Sequence, residues 1–282
     1  MHRTFLLLVL LISTVSFAAL NEKSEYFNTS DNVRLHYIEA GEGRPIVLIP
    51  GWTMPANIWR PQINALSMKY RVIALDPRSQ GDSDKPADGN YPERCALDIK
   101  ELVDSLKLEK PVLVGWSLAA QDVLSYVDQF GTDNLGGVVL VDEFIKIDPE
   151  LAASFPKYFL SFQQDRRKMT EQFVKSMYAK PKDPNYLERI TEASLRTPTN
   201  SAMALMMGSL ARLDWTDVLP KMANIPVQYH FEPRMQAQAD LIKQKLPSAT
   251  IVRYGDDGHA LFVDDAEKFD REVSEMMDGM AK

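Results

Sequence analysis

The stretch "PVLVGWSLAA", residues 111–120, decides the fold. A short apolar run leads into Gly115-Trp116-Ser117-Leu118-Ala119, and a helical pattern begins directly after Ser117. In the nucleophile elbow, G-x-S-x-G, a serine lies on a strained strand-to-helix turn with its hydroxyl exposed. Ala119 stands at the last glycine position and is the smallest departure from it, which suits a helix packed closely on its strand. The sequence therefore predicts Ser117 as a catalytic nucleophile.

Apolar runs recur on both sides of this stretch. "VRLHYIEAGEG" alternates apolar and polar residues and predicts an antiparallel strand. Continuous apolar runs follow, as expected for strands covered by helices on both faces: "PIVLIPGW", "YRVIALD", "PVLVGWS", "GGVVLVDE", "PVQYHF" and "ATIVRYG". Helical patterns separate most of them: "PERCALDIKELVDSLKL", "LAAQDVLSYVDQF", "MQAQADLIKQKL" and "DDAEKFDREVSEMMDGM". This alternation predicts an α/β fold with a mostly parallel sheet.

One long interval, between Glu143 and Ile225, contains no buried-strand pattern. We predict a helical cap over residues 145–224, inserted into a core formed by residues 19–144 and 225–282. Large apolar side chains of the cap either line a pocket or pack the cap onto the core: Phe155, Tyr158, Phe159, Phe162, Phe173, Met177, Met206 and Met207.

The first 18 residues have the features of a secretory signal peptide. A basic start, "MHR", precedes "FLLLVLLI", which is too short to span a bilayer, and small residues follow up to Ala18. We predict cleavage after Ala18 and a secreted or periplasmic protein without a membrane span. A membrane anchor or a buried N-terminal helix is the alternative interpretation.

Charge and cysteine content narrow the function classes. The 282 residues include 32 basic and 39 acidic side chains, a net charge of −7, and no basic stripe. Such a protein is a poor candidate for binding nucleic acid or anionic membranes. The single cysteine, Cys95, cannot form an internal disulfide, so a sizeable core must hold the chain together.

Four motifs in this order resemble the α/β-hydrolase superfamily, in particular its serine esterase and cofactor-free haloperoxidase branch. They are "IVLIPGWTMPANIW", similar to the oxyanion loop, "YRVIALDPRSQGDSDKP", similar to the D-x-R-G-x-G-x-S turn, "LVGWSLAAQDVLSYV", similar to the elbow, and "YGDDGHALFVDDAEKF", similar to the catalytic-histidine loop. The resemblance covers nearly all of the chain after residue 18. It implies an α/β-hydrolase fold with a helical cap inserted after the sixth strand, and neither a cofactor nor a metal.

The resemblance also implies the base and the oxyanion hole. His259 occupies the position of the family's catalytic base, which a weakly acidic serine hydroxyl needs within hydrogen-bond reach. His36 and His230 lie within strands, and we predict structural roles for them. The implied oxyanion donors are the backbone N–H groups of Trp52 and Leu118.

The catalytic acid is not at its usual place. In most relatives it follows the strand predicted at "PVQYHF", but the loop there, "EPRMQAQA", offers only Glu232. A second place known in the superfamily is the end of the preceding strand, where "VVLVDEF" supplies Asp142 and Glu143. Asp142 is our first choice because it ends the strand, and Glu143 and Glu232 remain alternatives.

A serine nucleophile predicts hydrolysis of a carboxylic ester that has an apolar part, through an acyl-enzyme. The same residues would serve perhydrolysis of the haloperoxidase type or cleavage of a C–C bond. A third alternative is a non-catalytic protein of this fold that binds a small ligand.

Overall fold

The computed structural model describes residues 21–280, so the predicted signal peptide lies outside the described residues. Its strands are β1 (Lys23–Asn28), β2 (Arg34–Ala40), β3 (Pro45–Ile49), β4 (Arg71–Leu75), β5 (Val112–Trp116), β6 (Gly137–Val141), β7 (Val227–Phe231) and β8 (Thr250–Arg253). They form one sheet in the order β1-β2-β4-β3-β5-β6-β7-β8. The β1–β2 and β2–β4 pairs are antiparallel and the other pairs are parallel, which confirms the predicted mostly parallel sheet.

The helices are α1 (Arg60–Leu66), α2 (Pro92–Ser105), α3 (Leu118–Phe130), α4 (Pro149–Gln164), α5 (Arg166–Ser176), α6 (Pro184–Leu195), α7 (Thr199–Ser209), α8 (Gln236–Lys245), α9 (Leu261–Asp264) and α10 (Ala266–Gly279). The four predicted helical patterns correspond to α2, α3, α8 and α10. Within residues 21–280, no helix has both the length and the apolar character that crossing a membrane requires.

The continuous apolar runs form strands because both faces of the sheet are covered. Successive side chains of a strand point to opposite faces. Val47 and Leu113 accordingly pack with α2 and α3 in one apolar cluster, and their strand neighbours Leu48 and Val114 pack with α1 and α10 in another. Each fully buried side chain of this size contributes about 1.5–3 kcal/mol to the free energy of unfolding.

Strand β1 was not predicted from the sequence. Its residues, "KSEYFN", are almost all exposed, so neither alternation nor an apolar run marks them. β1 forms instead through backbone pairing with the neighbouring strand, from Lys23 opposite Glu39 to Asn28 opposite Arg34.

Helices α4 to α7 all lie between β6 and β7, within the interval predicted as a cap. They are attached to the core near the predicted catalytic loops. The indole Nε1 of Trp52 donates to the Ala202 carbonyl at 2.7 Å, and the N–H of Ala260 donates to the Met177 carbonyl at 2.8 Å. We refer to α4–α7 as the cap.

Candidate active site

Ser117 lies on the predicted strand-to-helix turn. It follows β5 directly, precedes α3, and adopts φ 54° and ψ −132°, a conformation that is uncommon for a residue with a side chain. Gly115 is required here because a Cβ atom on it would lie 2.5 Å from the Ala119 carbonyl oxygen. Ser117 is half-buried and lies at the N-terminus of α3, where negative charge is favoured.

The carboxyl edge of the sheet brings Asp142 close to Ser117. β5 and β6 are parallel neighbours, with Trp116 opposite Val141, so Ser117 and Asp142 follow equivalent positions of adjacent strands. The backbone N–H of Ser117 donates to the Val141 carbonyl at 2.8 Å. Ligand sites in open α/β sheets lie outside this edge.

The structure places Asp142 against His259, which lies in the loop after β8. Oδ2 of Asp142 is 2.7 Å from Nδ1 of the imidazole, and its other oxygen, Oδ1, accepts from the backbone N–H of Glu232 at 2.9 Å. Asp142 has φ 50°, a second backbone conformation that favours glycine. A carboxylate on Nδ1 leaves Nε2 of the ring as the proton acceptor.

The other two candidate acids line the same cavity but have other hydrogen-bond partners. Glu232 accepts hydrogen bonds from the backbone N–H and the guanidinium of Arg234, two residues later in the chain. Glu143 accepts from Nε2 of Gln121 at 3.1 Å. In residues 21–280 neither carboxylate bonds the His259 ring.

Two opposing effects determine the pKa of His259. Burial disfavours the charged ring and lowers the pKa, but the hydrogen bond and the negative charge of Asp142, together with the charge of Glu143, raise it above its ordinary value of 6.5. The Nε1 of Trp116 donates to the backbone carbonyl of His259 at 2.9 Å and holds its loop.

Ser117 and His259 line the same cavity, but no hydrogen bond joins their side chains in the described part of the chain. Contacts of this kind are often long without substrate and shorten in the complex.

The two predicted oxyanion donors also meet at this cavity. Trp52 and Leu118 both line it, and neither backbone N–H donates to another group of the described residues. A Cβ atom on Gly51 would lie 2.9 Å from Cβ of Ser117, so glycine allows the Trp52 loop to approach the nucleophile. Behind that loop, the amide oxygen of Gln80 accepts from the N–H of Thr53.

The cavity has a volume of about 340 Å³ and lies between the sheet edge and the cap. Of the eight cap residues considered from sequence, Phe155, Phe173 and Met206 line it. The others do not: Phe159, Phe162 and Met177 are buried in packing, and Tyr158 and Met207 are 43% and 49% exposed.

The two other histidines among residues 21–280, His36 and His230, do not line this cavity, and their structural roles stay predictions. His36 lies between Ser24 and Asp76, at 2.8 Å and 2.7 Å. His230 is fully buried beside Gln228 and Tyr254, and burial lowers its pKa to about 3.

Gln121, which lies on α3 four residues after Ser117, also lines the cavity and was not predicted from the sequence. Its spacing of four residues from Ser117 was a usable signal, because side chains at i and i+4 lie on the same face of a helix.

Comparisons with known proteins identify the family of the chain. Residues 44–266 match the family described as alpha/beta hydrolase fold. The chain is 24% identical over 264 residues to the AB hydrolase superfamily protein YisY of Bacillus subtilis (strain 168), an alignment that covers 89% of this chain and 97% of the relative. A non-heme chloroperoxidase of Streptomyces lividans is 35% identical over 116 residues, which are 40% of this chain and 42% of that protein.

Solved structures show the same architecture. An esterase from Exiguobacterium antarcticum superposes with a TM-score of 0.83 at 22% identity, covering 90% of this chain and 98% of the esterase. A bromoperoxidase from Bacillus anthracis superposes with a TM-score of 0.84 at 20% identity, covering 91% of this chain and all of the other. At these identities the likeness establishes the fold.

Proposed function

Because the chain belongs to the alpha/beta hydrolase fold family, we propose that it is a serine hydrolase that cleaves carboxylic esters through an acyl-enzyme on Ser117. The observation that carries the proposal is the 2.7 Å contact between Asp142 and His259 in the cavity that Ser117 lines. It supplies an oriented base in the cavity that the nucleophile lines, the combination that serine acyl transfer requires.

In the proposed reaction, Oγ of Ser117 attacks the ester carbonyl carbon while Nε2 of His259 takes the hydroxyl proton. The tetrahedral intermediate collapses, the C–O bond to the alcohol breaks, and the imidazolium returns the proton to the leaving alkoxide. A water molecule then attacks the acyl-enzyme, with His259 again acting as the base. Hydrolysis releases the carboxylic acid and restores the Ser117 hydroxyl.

The oxyanion of each intermediate would accept from the backbone N–H groups of Trp52 and Leu118. Preorganised donors of this type are worth about 3 kcal/mol each in transition-state stabilisation. The developing negative charge also benefits from the N-terminus of α3, which begins at Leu118.

The size and lining of the cavity fit a substrate with a small or medium apolar part. Its aromatic and methionine walls come from both the core and the cap, including Phe144, Phe155, Phe173 and Met206. A volume of about 340 Å³ lies at the lower end of the range of small-molecule sites. Esters with short acyl chains therefore fit the proposal better than long-chain lipids.

A panel of p-nitrophenyl esters with acyl chains of increasing length tests the proposal. The wild-type protein should cleave the short members faster than the long ones. Failure to cleave any member of the panel would leave the ester-hydrolase proposal without support, and a non-catalytic binding protein would then explain the fold better.

A perhydrolase is the second candidate, because the relatives include a non-heme chloroperoxidase over two fifths of this chain. Hydrogen peroxide would replace water in attacking the acyl-enzyme, and a peracid would leave in place of the acid. Peracid formation from acetate and peroxide, measured beside the ester panel, distinguishes the two activities.

The pH dependence of ester hydrolysis should follow His259. Only the neutral imidazole can take the Ser117 proton, so kcat/KM should fall as the pH drops through the pKa of this ring. Because Asp142 holds that pKa above 6.5 in the folded protein, the acidic limb should lie above pH 6.5. Replacing Asp142 by Asn removes the negative charge, so the limb of the residual activity should move to lower pH. A limb that stays in place in Asp142→Asn would contradict this origin of the pH dependence.

A further inference from the structure

The proposed acyl transfer uses neither Gln121 nor Glu143, although both line the cavity. Nε2 of Gln121 donates to Oε1 of Glu143 at 3.1 Å, so the two side chains form a pair. Gln121 itself is buried, and its Oε1 accepts no hydrogen bond from any described residue. This oxygen has no surface that a ligand could touch, so the half-buried Glu143 is the member of the pair that is open to the cavity.

Glu143 differs from the two other carboxylates of the cavity in lacking a basic partner. Asp142 contacts the His259 ring, and Glu232 contacts the Arg234 guanidinium. Within residues 21–280, no lysine, arginine or histidine lies at ion-pair distance from Glu143. Burial raises the pKa of Glu143 to about 7, against the lowering effects of His259 and Gln121. Above that pH, Glu143 adds to the cavity wall a negative charge that no side-chain cation of residues 21–280 pairs at ion-pair distance.

We propose that Gln121 and Glu143 form a subsite that binds a primary ammonium group of the substrate. An ammonium group has three N–H donors and no acceptor, which matches the Glu143 carboxylate that Gln121 holds in the cavity wall. Charge-assisted hydrogen bonds to a carboxylate are about twice as strong as neutral ones. A neutral hydroxyl of the same size would therefore bind more weakly, and a carboxylate would be repelled.

This subsite lies close to the reacting atoms. Gln121 is one helical turn after Ser117 on α3, and Glu143 directly follows Asp142. Combined with the proposed function, on which this step rests, the geometry points to esters of amine-bearing acids or alcohols as the substrate class. The aliphatic part of such a molecule would pack on Phe144, Phe155 and Met206, which line the same cavity.

Titration calorimetry at pH 8.5 with n-hexylammonium, n-hexanol and hexanoate tests the subsite without requiring turnover. The wild-type protein should bind hexylammonium about 10- to 100-fold more tightly than hexanol, the range expected for a hydrogen bond to a charged group, and hexanoate most weakly. Glu143→Gln should lower the affinity for hexylammonium to about that for hexanol and so remove the preference for the ammonium ion. Glu232→Gln is the matched control, because it neutralises a cavity carboxylate that already has a partner, and it should keep the preference.

Equal affinity of the wild-type protein for hexylammonium and hexanol, or no binding of hexylammonium, would overturn the proposal without any variant. A preference that survives in folded Glu143→Gln would also overturn it. Ester hydrolysis without an ammonium preference would contradict the subsite proposal and leave the ester-hydrolase proposal standing. An ammonium preference without ester hydrolysis would contradict the ester-hydrolase proposal and leave the subsite proposal standing.

Discussion

Ser117→Ala is expected to lower kcat for a short p-nitrophenyl ester by roughly 10⁴- to 10⁶-fold, the range found when a serine nucleophile is removed. No other group of the proposed site can form the acyl-enzyme, because His259 would have only water to activate. Residual catalysis over the uncatalysed reaction should remain, since the backbone donors of Trp52 and Leu118 are unchanged. Initial rates at saturating ester, corrected for background hydrolysis, measure the effect.

Ser209→Ala is the matched control for this substitution. Ser209 lines the same cavity, but its hydroxyl donates to the Met206 carbonyl at 2.7 Å within α7. The same chemical change at this position should alter kcat by no more than a few fold. Retained ester hydrolysis in Ser117→Ala, with the loss appearing in Ser209→Ala, would exclude Ser117 as the nucleophile.

Asp142→Asn is expected to lower kcat by about 10⁴-fold, as in other triads in which the acid is replaced by its amide. Both oxygens of Asp142 accept hydrogen bonds, one from the His259 ring and one from the backbone N–H of Glu232. Asparagine has a single acceptor oxygen, so its NH₂ must face one of these two donors. If the NH₂ faces the ring, His259 changes to the tautomer that cannot take the serine proton.

Glu143→Gln and Glu232→Gln separate Asp142 from the two acids that the sequence leaves as alternatives. Neither carboxylate bonds the imidazole, so each variant should retain kcat within about tenfold of the parent, far less than the loss expected for the orienting acid. Near-parental activity in Asp142→Asn would show that the acid assignment is wrong. A loss confined to Glu232→Gln would move the acid to the loop after β7.

The strand-to-helix turn at Ser117 was predictable from sequence because its geometry is local. A strand, a serine between small residues and a helix occupy one continuous stretch around Ser117, and the strain of the elbow is built into that stretch. The position of His259 followed from the resemblance of its loop. Both residues directly follow or lie shortly after a strand that the sequence predicts, Ser117 after β5 and His259 in the loop after β8.

The acid could only be narrowed to three residues, because its identity depends on contacts between distant segments. The sequence places Asp142 and Glu143 at the end of β6, but it does not give their side-chain directions. In the structure, the Asp142 carboxylate faces His259 and the loop after β7, whereas the Glu143 carboxylate faces Gln121. Only four residues, 232–235, separate β7 from α8, and Glu232 is turned towards Arg234.

Two other features left no signal of their own in the sequence. β1 depends on backbone pairing and has a polar, exposed sequence. Large apolar side chains occur throughout the cap. The sequence therefore did not distinguish Phe155, which lines the cavity, from Phe162, which packs against Trp52. Their roles depend on how α4 lies over the core.

The central claim, that Ser117 is activated by the Asp142–His259 pair, is tested most directly by locating a covalent adduct. The wild-type protein, incubated with a fluorophosphonate, should gain the mass of one phosphonyl group on the peptide that contains Ser117. The reaction should be absent in Ser117→Ala and much slower in Asp142→Asn, because the reagent attacks only an activated serine. An adduct on another residue, or equal labelling rates in the wild type and Asp142→Asn, would contradict the claim.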